Sequence, residues 1–164
     1  MKNRDPYFFL LLFLTALFWG GSFVFTKYLL NSQTPTFIIF FRLIIASVIM
    51  VAIGLIFFRK ALIIPKKIIP QILILSLFEP FLYFTFETYS LKYSDASVVS
   101  IIIATIPLFT ALISKYYFKE LFSKLNFFGV IISFGGILVM LFPSISQLTG
   151  NVTGIVLAFC AVMT

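Results

Sequence analysis

The chain has 164 residues, 62% of them apolar and only 10% charged, and 23 are Phe. A soluble globular domain is about half apolar and about a quarter charged, so this composition excludes one and indicates an integral membrane protein. The net charge of +7 does not mark a nucleic-acid binder, because the basic residues fall in short clusters between apolar runs.

In chain order, five apolar runs approach the roughly 20 residues a span requires: about Tyr7 to Leu30, Pro35 to Phe58, Ile68 to Tyr89, Ala96 to Phe118, and Leu125 to Phe142. They are expected as helices, because an isolated strand leaves its backbone unsatisfied in lipid and these runs do not alternate apolar with polar. The first run is too long for the core of a signal peptide and has no small-x-small cleavage site. Turn residues separate the runs: NSQTP, RKALIIPKK, KYSD, KELFSK and PSISQLTG. A sixth run, GNVTGIVLAFCAVMT, stops after about 15 residues. It reads as a helix cut short, so the chain is expected to be a fragment of a longer protein. Its NVT triplet at Asn151 matches the glycosylation acceptor, a weak motif alone.

Charge sets the expected orientation. Lys2, Arg4, Arg59, Lys60, Lys66, Lys67, Lys115, Lys119 and Lys124 lie on one side, against Lys27 and Lys92 on the other. The positive-inside rule then places the N-terminus in the cytoplasm and the 143–150 loop outside. Five spans are an odd number, so a second five-span unit would insert inverted relative to the first.

The third run carries two acids, Glu79 and Glu87, around Pro80. A central charge costs about 2.5–3.5 kcal/mol, which the run's Leu, Ile and Phe residues offset only to near break-even, so the acids are not expected to face lipid. On an unbroken helix Ser76, Glu79, Tyr83, Glu87 and Ser90 form one polar stripe, and Pro80 marks a bend. Run one has Thr15, Trp19, Ser22 and Thr26 on one face. Small residues line run four (Ala96, Ser100, Ala104, Pro107, Ala111, Ser114), where Pro107 offers a second kink, and run five (Gly129, Ser133, Gly136). By depth, Lys27, Arg42 and Glu87 fall in the same half of the membrane as charge-pair candidates, and Glu79 is the candidate for proton coupling. Each feature also has a structural reading. The charged cluster can serve as glue between helices, Glu79 as a packing hydrogen-bond donor, and Tyr28, Tyr89, Tyr93, Tyr116 and Tyr117 as interfacial anchors. Lys119 and Glu120 read as a helix terminus.

Several segments together resemble the EamA-type branch of the drug/metabolite transporter superfamily. FWGGSFVFTK (18–27) resembles the family's first-span Trp-Gly motif, and FFRLIIAS (40–47) its second-span Arg motif. FEPFLYFTFETYSLKYSDASVVSIIIATIPLFTAL (78–112) resembles the third helix, outer turn and Pro-bearing fourth helix. FKELFSKLNFFGVIISFGGILVM (118–140) resembles the Lys-Glu turn and fifth helix, and GNVTGIVLAF the start of a second repeat. The resemblance implies an all-α polytopic helix bundle: residues 1–142 as the first five-helix repeat and 143–164 as a loop and the truncated start of the second, one half of an inverted-repeat ten-helix transporter. It implies a secondary-active exporter of small metabolites, amino acids or drugs in the bacterial inner membrane, working by alternating access. Trp19, Ser22, Arg42, Glu79, Tyr83 and Glu87 become its substrate-cavity candidates. The expected partners are a small-molecule substrate, membrane lipid and the missing repeat or a dimer partner, with no nucleic acid.

No cofactor or metal is expected, since the chain has no His, one Cys and no Gly-rich phosphate loop. An enzyme is not expected either: Glu79 and Glu87 would stand about 12 Å apart along one helix, too far for paired-carboxylate glycoside hydrolysis. Two other readings stay open, a half-size transporter acting as a dimer and a non-transporting assembly subunit.

Overall fold

A computed structural model describes residues 6–59, 64–117, 119, 124–141 and 151–164. Lys2, Arg4, Lys60, Phe118, Glu120, Phe142 and the 143–150 loop lie outside the described residues. All the elements are helices: α1 Pro6–Leu29, α2 Pro35–Phe57, α3 Ile69–Ser76, a π-helical segment Leu77–Leu82, α4 Tyr83–Tyr93, α5 Ala96–Ile103, α6 Ile106–Tyr116, α7 Lys124–Leu141 and α8 Val152–Met163.

Among the described residues, four stretches are long and apolar enough to cross a membrane: Tyr7–Leu29, Pro35–Phe57, Lys66–Tyr93 and Ala96–Tyr116. The expected fifth span maps onto α7, an apolar helix of 18 residues, close to the roughly 20 a crossing needs. The expected short sixth helix is α8.

Local chemistry explains where the helices begin and break. The Thr34 hydroxyl accepts the Phe37 N–H at 3.4 Å and Pro35 follows it, a normal helix start. Asn151 does the same for α8, its side-chain oxygen accepting the Thr153 N–H at 3.1 Å, so the amide of the NVT triplet serves as a helix cap. In the third span the break falls at Glu79, with φ −127° and ψ 112°. Pro80 has no N–H and crowds the residue before it out of the helical region, so Glu79 takes an extended conformation. The fourth span breaks at Ala104 and Thr105, and Pro107 sits in the first turn of α6. Lys119 has a φ of 53°, a left-handed conformation that ends rather than continues a helix.

α4 is the hub. It packs most extensively against α8, then against α2, α1 and α5, whereas α1 and α2 lean on the rest of the bundle rather than on each other. The core comprises Phe23, Tyr83, Leu91, Val99, Ile102, Ile103, Ala158 and Ala161. In lipid, helices associate through close packing rather than through expulsion of water, so small residues at contacts matter most. On α8 these are Gly154, Ala158 and Ala161, spaced four and three residues apart and all buried. The Ser90 hydroxyl donates to the Gly154 carbonyl at 2.8 Å and that of Ser94 to the Asn151 carbonyl at 3.4 Å. A Cβ on Gly154 would collide with the Ser94 side chain and lie 3.1 Å from the Ser90 carbonyl oxygen.

The small ridges read from runs four and five do not make the closest contacts. The buried face of α5 is Val99, Ile102 and Ile103. Among the described residues, a Cβ on Gly136 would meet nothing within 4 Å.

Candidate functional site

α4 begins four residues after the break at Glu79, and its inward face carries Tyr83, Glu87 and Ser90 at helical spacing, all buried. The stripe does not continue through Ser76 and Glu79. Both are exposed, because the kink at the extended Glu79 breaks the helical register between α3 and α4. The Ser76 hydroxyl donates to its own helix, to the Leu73 carbonyl at 3.0 Å.

Glu87 is fully buried, and Arg42 of α2 reaches it: Nη1 lies 3.3 Å from Oε1. The guanidinium also covers the Phe84 ring, with Cζ 3.8 Å from its centroid. Phe84 and Glu87 are three residues apart and so share a face of α4, which gives Arg42 a carboxylate and an aromatic ring together. The second carboxylate oxygen, Oε2, has no hydrogen-bond partner among the described residues. Neither has the buried Tyr83 hydroxyl, which stands near Glu87 and Trp19 without hydrogen-bond geometry. A charged pair with unfilled hydrogen-bonding capacity is costly inside a bundle, and intramembrane ionisable groups of this kind mark functional sites.

Lys27 is placed elsewhere. Its Nζ donates to the carbonyls of Leu91 at 2.7 Å and Ser94 at 2.8 Å, holding the C-terminal end of α4, where unpaired carbonyls attract a cation. It therefore makes no pair with Glu87. Glu79 has no cationic partner among the described residues. The structure thus brings Arg42, Glu87, Tyr83 and Trp19 together, commits Lys27 to the end of α4, and leaves the exposed Glu79 within electrostatic range of Tyr83 and Glu87.

A cavity of about 510 Å³ opens between α1 and α2. Its polar lining is Ser22, Thr26, Gln33 and Arg42, and most of the remainder is Phe, Leu and Ile. The Ser22 hydroxyl is turned back to the Trp19 carbonyl at 2.7 Å. A second cavity of about 370 Å³ lies between α2 and α4, with Thr36, Ser47, Thr85 and Tyr89 but no charged residue on its wall. The Tyr89 and Thr36 hydroxyls share a hydrogen bond of 3.2 Å there. Sequence reasoning missed Phe84 and Gln33 as parts of the site, and had Thr26 only on the polar face of run one. For Phe84 a signal existed: an aromatic ring three residues before Glu87 on the same helix. No grouping of His, Cys, Asp and Glu suited to a metal ion occurs among the described residues.

Comparison with known proteins matches residues 7–142 to the model of the EamA-like transporter family. An uncharacterized transporter of Archaeoglobus fulgidus is 28% identical over 86% of this chain and 50% of its own length. A second from the same organism is 33% identical over 80% of this chain and 44% of its own. The uncharacterized transporter YcxC of Bacillus subtilis is 32% identical over 73% of this chain and 38% of its own. The chain therefore spans half or less of the length of these relatives. No solved structure gives a significant match.

Proposed function

The chain belongs to the EamA-like transporter family, and we propose that it forms the first half of a secondary-active exporter of small metabolites, amino acids or drugs. In this reading α7 completes a fifth crossing, residues 1–142 form one five-helix repeat, and α8 opens an inverted second repeat, giving ten helices and alternating access between the halves. The membrane is a bacterial inner membrane with the N-terminus in the cytoplasm, as the positive-inside rule requires. The observation that carries the reading is the buried Arg42–Glu87 pair beside a cavity between transmembrane helices, an arrangement that a bundle serving only as a scaffold has no need to keep. Glu79 is the proposed proton carrier, at a helix break where backbone groups are freed as in the broken helices of transporters. The second repeat, or a second copy standing in for it, closes the cavity.

The test is efflux. Cells expressing the protein are compared with cells expressing the Arg42→Gln/Glu87→Gln variant, and small solutes are measured in cells and medium. The expected result is at least one solute driven outward only by the unaltered protein; identical profiles in both strains overturn the reading. Orientation is tested separately with Lys66→Cys in a Cys160→Ser background. Labelling of intact cells by an impermeant thiol reagent contradicts a cytoplasmic N-terminus.

A further inference from the structure

The geometry points to a solute with a single carboxylate on an apolar body, held in the α1–α2 cavity with its carboxylate on Arg42. This inference rests on the transporter reading and names the substrate class for the same site. The decisive asymmetry is access. The Arg42–Glu87 pair is neutral as a unit, but its two ends are not equally reachable: the Arg42 side chain is 24% exposed and Glu87 is 0% exposed. Arg42 lines the cavity and Glu87 does not. A solute in the cavity therefore meets the positive end of the pair and cannot touch the negative end. Lys27, the nearest alternative cation along α1, is committed to the Leu91 and Ser94 carbonyls and does not line the cavity.

Arg42 has capacity to spare. A guanidinium offers five N–H donors in a planar fork matched to a carboxylate. Among the described residues its one polar partner is Glu87 Oε1, through a single contact of 3.3 Å, longer than is usual for a charge-assisted hydrogen bond. Its flat face is taken by Phe84, which leaves the edge of the fork for a ligand. The rest of the wall sets the body of the solute. Phe18, Phe37 and Phe41 give it aromatic surface, and Ser22 and Gln33 are neutral. A volume of about 510 Å³ lies within the roughly 300–1,000 Å³ of small-molecule sites. A small hydrophilic acid would leave the aromatic wall unfilled, and an organic cation would face Arg42.

The probes are 4-phenylbutyrate, 4-phenylbutanol and 4-phenylbutylamine, which share one apolar body and differ in the head group. Equilibrium dialysis measures saturable binding to the chain reconstituted in lipid vesicles. The acid is expected to bind about ten- to a hundredfold tighter than the alcohol or the amine, the range of one or two hydrogen bonds to a charged group. Arg42→Gln alone leaves Glu87 buried without a partner and can fail to fold, so the informative variant is Arg42→Gln/Glu87→Gln. It should bind the alcohol as before and lose the preference for the acid. Phe37→Ala should weaken acid and alcohol alike. Equal binding of acid and alcohol, preference for the amine, or a preference that survives in the double variant overturns the inference while leaving the efflux test untouched. Absence of saturable binding by all three also overturns it. Failure of the efflux test instead sinks the transporter reading itself.

Discussion

The third span holds two environments in one apolar run. Before the break, α3 buries no residue at all; after it, α4 buries Tyr83, Glu87, Thr88, Ser90 and Leu91. The two glutamates divide the same way. Glu79 stands at the break, exposed and without a cation among the described residues, and Glu87 is sealed and paired eight residues later. A proline in a membrane helix thus does more than bend it: the extended residue before Pro80 uncouples the facing of the two segments, so one can sit in the bundle while the other faces outward. The difference is one of access: Glu87 is buried against Arg42 of α2, and Glu79 is exposed at the break.

The largest expected effect comes from breaking the buried side of this comparison. Arg42→Gln leaves a fully buried carboxylate alone and should cost about 3 kcal/mol or more, read as a drop in thermal stability in detergent. Glu87→Gln should cost clearly less, because the cation it strands is partly exposed and still stacked on Phe84. Equal costs would mean that the two ends of the pair do not differ in burial as described. Next comes Lys27→Met, which removes two hydrogen bonds from a charged donor to the end of α4 and should cost about 1.5–3 kcal/mol. No loss would mean that water or lipid head groups hold those carbonyls equally well. Gly154→Val tests the packing of α4 against α8. Its side chain would meet Ser94 and the Ser90 carbonyl, and overpacking there should cost about 1–3 kcal/mol. Gly136→Val, with open space around it among the described residues, should cost far less.

Much of this was readable from the sequence, for identifiable reasons. Five long apolar runs bounded by turn residues are a strong signal, and four of them correspond to the stretches long and apolar enough to cross a membrane among the described residues. The residues Arg42 and Glu87 were read at compatible depths, and depth along a helix follows directly from rise per residue. The stripe through Ser76 and Glu79 was misread because helical periodicity was carried across Pro80, where the kink at the extended Glu79 breaks it. Lys27 was grouped with Glu87 because depth does not specify azimuth: at one level of the membrane, the end of α4 offered it two carbonyls instead of a carboxylate. The buried Gly154–Ala158–Ala161 ridge of α8 was not read from the sequence, and neither was its partner. That α8 docks on α4 is a fact of tertiary topology, which no local pattern records.

The smallest expected effect on stability sharpens the comparison most. Glu79→Gln removes no ion pair among the described residues and alters an exposed side chain, so its cost should stay within about 0.5 kcal/mol. Its effect on function should be large if the exposed glutamate, rather than the sealed one, exchanges protons. Efflux by the unaltered protein is then expected to change with pH, and efflux by the variant to be flat with pH while the protein remains folded and present at normal levels. A charge locked to Arg42 inside the bundle cannot load and unload protons without breaking the contact that joins α2 to α4, whereas a carboxylate at an open helix break can. A variant that keeps the full pH profile would therefore remove Glu79 as carrier and move the search to Glu87, whose titration would have to be coupled to separation of the two helices.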